Sequence, residues 1–114
     1  MSYTGQDIMN AIQSCTLTID ACIKDLRKRA YTKAQTEMDY RVALAQKLLI
    51  ERDKGLPATI SNDVCRGQKE IAKLRFDRDI AKSMYDIVLQ KVYASKAEYA
   101  TLEKQYRLEF NNTK

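Results

Sequence analysis

Two stretches of this 114-residue chain gather the side chains that could do chemistry. The first, RGQKEIAKLRFDRDIA at residues 66–81, carries Arg66, Arg75 and Arg78 with Lys69 and Lys73, against Glu70, Asp77 and Asp79. The second, KDLRKRAYTK at residues 24–33, carries Lys24, Arg27, Lys28, Arg29 and Lys33 around Tyr31, with Asp25 as its single acid. Guanidinium groups fork onto phosphate or carboxylate oxygens, and cations interleaved with tyrosine can clamp a phosphate while the ring stacks on a base. Anion binding is the chemistry these residue types and spacings could support.

A blander account competes at both places. On a helix, Glu70 meets Lys73 at i+3, Lys73 meets Asp77 at i+4 and Arg75 meets Asp79 at i+4. Such pairs stabilise a helix by about 0.2–0.5 kcal/mol each and mostly decorate a solvated face. Arg78 does not fit that account. It falls on an apolar seam, and its i±3 and i±4 neighbours are Leu74, Arg75, Ala81 and Lys82. A cation entering a seam unpaired is costly, so its anion must come from elsewhere. Asp39 or Glu37 across the fold could supply it and set the register, Arg78 with Arg75 or Arg66 could hold a bound anion, or the side chain could snorkel to water. The basic stretch 24–33 is expected to lie opposite VYASKAEYA, which adds Tyr93, Lys96 and Tyr99. Its competing reading is a solvated basic helix face.

Other reactive groups are sparse. The chain has no histidine, no Gly-rich phosphate loop and no G-x-S-x-G, and its carboxylates are scattered along helix faces, so catalysis, cofactors and metals are not expected. Cys15 and Cys22 sit seven residues apart, roughly 10 Å along a helix and too far to bridge. With Cys65 they are expected to be reduced, buried thiols behaving as small hydrophobes.

The elements that must position these groups are long helices. Three glycines and one proline leave few turns, and 45% hydrophobic with 31% charged residues describes a folded, water-facing protein. The length implies one domain over residues 1–114. Thr4 with Asp7 marks a helix start. Ile8, Ile12, Cys15, Ile19, Cys22 and Leu26 step 4, 3, 4, 3, 4 as a heptad seam. Beyond it the apolar residues lengthen to Ala30, Ala34, Met38, Val42, Ala45 and Leu49, a drift that predicts a straighter helix. Lys54–Gly55 with Pro57 ends this helix at about residue 54. A corner over 55–67 is expected to hold a short helical turn capped by Thr59 or Ser61, carrying Ile60 and Val64 and closed by Gly67. A second helix, about 68–110, has the better heptad: Ile71, Leu74, Arg78, Ala81, Tyr85, Val88, Val92, Ser95, Tyr99, Leu102 and Tyr106. The closing NNTK is expected to fray.

The fold class is thus all-α, a long antiparallel helical hairpin with a coiled-coil-like seam and a short helical corner. Facing residue numbers should sum to about 122. A second apolar row on the later helix, Phe76, Ile80, Met84 and Ile87, cannot be covered by one partner helix. A homo-oligomer, such as a four-helix bundle, is therefore expected.

The pattern RVALAQKLLIERDKGLPATISNDV, followed by RGQKEIAKLRFDRDIAKSMYD and KAEYATLEKQYRLEF, resembles small uncharacterised helical proteins of bacteriophages of Gram-positive bacteria, often encoded near single-strand-annealing recombination genes. The likeness covers about residues 40–110 and carries no catalytic residue. It implies an early phage context, either recombination accessory or inhibitor of host defence, with RG at the corner and LRFDRD as the places to look for a shared role. Two function classes follow. One is a nonenzymatic accessory protein that binds, inhibits or organises a host-defence or recombination protein. The other is a binder of nucleotides, such as a sponge for defence signals, or of single-stranded nucleic acid. Net charge +5 permits a polyanionic partner without demanding one. No apolar run approaches the roughly 20 residues that span a bilayer, and MSYTGQDIMN lacks the form of a signal peptide. The expected location is the cytoplasm, the host's if the chain is phage-encoded.

Overall fold

The computed structural model describes residues 4–112, with only the backbone of Asn112. All regular structure among them is helical: α1 (Gly5–Asp53), α2 (Ala58–Arg66) and α3 (Lys69–Asn112). The architecture is an all-α antiparallel helical hairpin, α1 forming one arm and α2 with α3 the other. No helix among the described residues is long and apolar enough to cross a membrane. The chain divides into two compact units, one of Met1–Arg27 with Asp86–Lys114, the other Lys28–Tyr85.

The helix ends follow from local chemistry. At the start of α1, the Asp7 N–H donates to Thr4 Oγ1 (3.1 Å) and the Thr4 N–H donates to Asp7 Oδ2 (3.2 Å). This reciprocal box satisfies two otherwise orphaned donors. At its end Gly55 adopts φ +96°, its N–H bonding Arg52 O and that of Leu56 bonding Glu51 O. These are the two hydrogen bonds of a Schellman closure, which needs a left-handed residue. Threonines inside the helices return their hydroxyls to the carbonyl four residues back, as Thr16, Thr18, Thr32 and Thr101 do. The last helix outruns the expected end at Phe110 and includes Asn111 and Asn112, while the fraying expected of 113–114 falls outside the described residues.

The corner differs from expectation at its cap. Pro57, not Thr59 or Ser61, stands at the head of α2, and it makes no side-chain cap. Ser61 instead donates its hydroxyl to Ala58 O and is buried. The inward face of α2 is Ser61 and Cys65, whereas Ile60 and Val64 remain 47% and 41% exposed. Gly67 does close α2, but in right-handed geometry (φ −80°, ψ −9°).

The register also shifts. In the first unit Cys15 bonds Ser95 and Gly5 lies beside Glu109. In the second Glu37 and Tyr40 meet Arg78, and Lys33 meets Tyr85. Facing numbers therefore sum to 110–118, below the expected 122. The physical reason is that Gly55–Pro57 completes the reversal by itself. α2 is already part of the returning arm, lying along Ala45, Leu48, Leu49 and Arg52, so the pivot sits near Pro57.

The α3 heptad is as expected: every member from Ile71 to Tyr106 is buried or half-buried. The drift expected in α1 is not the seam. Ala30, Ala34, Met38, Val42, Ala45 and Leu49 are all exposed, and the inward line instead continues as Arg29, Lys33, Thr36, Tyr40, Leu44, Lys47 and Leu48. Steps of four advance about 40° around a helix, so the apolar row walks off the contact line. The aliphatic stems of Arg29, Lys33 and Lys47 fill the seam there, with the Lys33 ammonium over the Tyr85 ring and that of Lys47 paired with Glu51.

Candidate functional site

The second unit concentrates its charge around Arg78. This side chain is 26% exposed, and its Nη2 and Nε both donate to Asp79 Oδ1 at 2.9 and 3.1 Å. Its Nε also stands 3.5 Å from Glu37 Oε2, and the guanidinium lies over the buried Tyr40 ring, 4.5 Å from its centre. Glu37 is shared, because its other oxygen pairs with Arg41. Of the two acids expected across the fold, Glu37 is the partner. Asp39 is exposed and accepts from Gln35. The second acid, Asp79, comes from the adjacent position on Arg78's own helix, which i±3 and i±4 spacing does not anticipate. That engagement corrects another expectation, since Asp79 is held by Arg78 rather than by Arg75. The expected Lys73–Asp77 pair forms at 2.6 Å, with Lys73 also 5.3 Å from the Phe76 ring centre.

Arg78 borders two concavities. A groove of about 700 Å³ is lined by Ala30, Lys33, Ala34, Glu37, Arg78, Asp79 and Lys82, where small side chains on α1 leave room between alternating charges. A smaller pocket of about 240 Å³ is lined by Tyr40, Arg41 and Leu44 of α1, Arg66 of α2, and Arg75 and Arg78 of α3. The three arginines singled out from sequence thus converge, and Arg41 joins them. Arg41 and Tyr40 were missed because the apolar drift hid the true seam. Carrying the 4, 3, 4, 3 step onward from Leu26 through Arg29, Lys33 and Thr36 lands on Tyr40. Among the described residues no carboxylate lies within ion-pairing distance of Arg66 or Arg75, both exposed.

The basic and tyrosine-bearing set is distributed differently. Lys24, Arg27, Tyr93, Lys96 and Tyr99 belong to the first unit, while Lys28, Arg29, Tyr31 and Lys33 belong to the second. Arg29 is half-buried in the seam, and Lys33 spends its ammonium on the Tyr85 ring, 4.5 Å from its centre. Tyr31 and Tyr93 are largely exposed.

The three thiols are free and buried. Cys15 donates to Ser95 O at 3.2 Å, and burial first, then the Glu98 carboxylate, push its thiol above its ordinary range. A raised value favours the protonated donor and makes this thiol a poor nucleophile. No group of three or more acids or cysteines suited to a metal ion occurs among the described residues. No protein family matches the chain, and neither curated proteins nor solved structures give a match.

Proposed function

We propose that this chain is a nonenzymatic binding protein of the phage-accessory kind, which self-associates into a helical bundle and in that form holds a protein of host defence or recombination. The observation that carries the reading is apolar surface left open on the second unit. Met38, Val42 and Leu49 on α1 and Phe76 and Ile80 on α3 are 48–68% exposed, while the buried apolar residues of that unit are Tyr40, Cys65, Ile71 and Ala81. Scattered exposed aliphatics are ordinary, but repeated ones on helix faces mark an interface.

A second copy of the chain is the occupant proposed, burying the roughly 800 Å² per partner of a standard stable interface or more. The phage context rests on the resemblance of residues 40–110 alone.

Equilibrium sedimentation of the wild type and of Phe76→Lys/Ile80→Lys tests the reading. The wild type is expected to sediment as a dimer or larger at micromolar concentration and the double variant as a folded monomer. A monomeric wild type at high concentration would remove self-association. Affinity capture from phage-infected cells then asks whether the same defence or recombination protein is retained by the wild type and lost with the variant.

A further inference from the structure

The geometry points to the arginine-lined pocket of α1, α2 and α3 as a binding site for a small polyphosphate, carrying at least two adjacent phosphate groups. It is independent of the self-association proposed above. Arg41, Arg66, Arg75 and Arg78 line one concavity of about 240 Å³. Like charges gathered around one concavity repel, and a bound anion relieves that repulsion. The chain supplies part of that relief. Glu37 serves Arg41 and Arg78, and Asp79 serves Arg78. Arg66 and Arg75 have no such carboxylate among the described residues. Arg66 gains something from the last turn of α2, where a cation suits the helix dipole. Arg75, in the second turn of α3, has no comparable reason to face the pocket.

The ligand class follows from charge and shape. Two uncompensated forks match two phosphate groups, each accepting a pair of N–H donors. The Tyr40 ring is buried under Arg78 and offers no free face for a base, so the pocket reads phosphates rather than the rest of a nucleotide. Its small volume favours a compact polyphosphate, with a nucleoside polyphosphate as one natural source whose base would remain outside. An extended single strand tracks a groove rather than filling a pocket.

Calorimetric titration of the intact chain with inorganic pyrophosphate and tripolyphosphate, at fixed physiological ionic strength, tests the site. Both anions are expected to bind, and Arg66→Gln/Arg75→Gln is expected to weaken them by at least about tenfold, the loss of two charge-assisted contacts. Arg27→Gln/Lys28→Gln removes the same charge elsewhere and should leave affinity unchanged. If the glutamine pair melts early, Arg66→Lys/Arg75→Lys is read instead, because it keeps charge but loses the bidentate fork. Undiminished affinity in that folded lysine variant overturns the site. So does an absence of heat with both anions, or an equal loss in the two charge-matched variants. Binding of an oligothymidylate but not of pyrophosphate would replace the pocket with a strand-tracking surface.

Discussion

At Arg78 the guanidinium sits over the Tyr40 ring with Glu37 and Asp79 as its anions, so replacing it asks what a half-buried cation contributes. A paired, partly buried charge gains little over good packing, and a methionine can follow the same path across the ring. Arg78→Met is therefore expected to lie within about 1 kcal/mol of the wild type in urea unfolding. Glu37→Ala removes the acceptor of both Arg78 and Arg41, but Glu37 is partly solvated, so its cost is expected to be about 0.5–1 kcal/mol. The informative comparison is the difference between the two variants. If both leave the midpoint where it was, neither contact contributes. Helical spacing sent Arg78 to an acid across the fold, and Glu37 does stand there at 3.5 Å, but the shorter bonds go to Asp79 on its own helix. Those bonds were not legible in sequence, because adjacent helix positions point about 100° apart and only a long side chain folding back can close that angle.

The helices and their ends were legible because each signal is local. Thr4 with Asp7, Gly55 before Pro57, and the α3 heptad all act through neighbours a few residues away. The register and the second half of the α1 seam were not, because both depend on where the chain reverses. Hydrophobicity alone followed Ala30 to Leu49 outward, whereas the contact line was held by the partner helix and filled with Arg29, Lys33 and Lys47. Sequence offered Arg78 with Arg75 or Arg66 as one alternative, all three line one pocket, and Arg41, next to the missed seam residue Tyr40, was not anticipated. The two corner glycines give a direct test of how the reversal is made. Gly55 is left-handed at φ +96°, so Gly55→Ala is expected to cost about 1–2 kcal/mol despite open space around a new Cβ. Gly67 is right-handed, and a Cβ there would meet Asp63 O at 3.4 Å, an ordinary contact. Gly67→Ala is expected to be neutral or to stabilise by up to about 1 kcal/mol, by restricting the unfolded chain. Paired thermal melts check both, and a harmless Gly55→Ala would mean that α1 ends some other way.

For the molecule as a whole, the self-association proposed above would make stability a matter of concentration. The second unit buries few apolar side chains of its own: Tyr40, Cys65, Ile71 and Ala81 form its apolar centre, with Met38, Val42, Leu49, Phe76 and Ile80 open to water. If a second copy covers these, part of the folding free energy belongs to association, and the midpoint of unfolding must depend on the amount of protein. For a dimer that unfolds to separated chains, a tenfold dilution lowers the apparent stability by about 1.4 kcal/mol. At the entropy of unfolding of a domain this size, that shift corresponds to several degrees. Melting curves recorded over a hundredfold range of concentration are therefore expected to move steadily downward on dilution for the wild type. Phe76→Lys/Ile80→Lys should melt lower and at one temperature throughout. The two results together separate an interface from a merely weakened fold, because a destabilised monomer lowers the midpoint without making it depend on concentration.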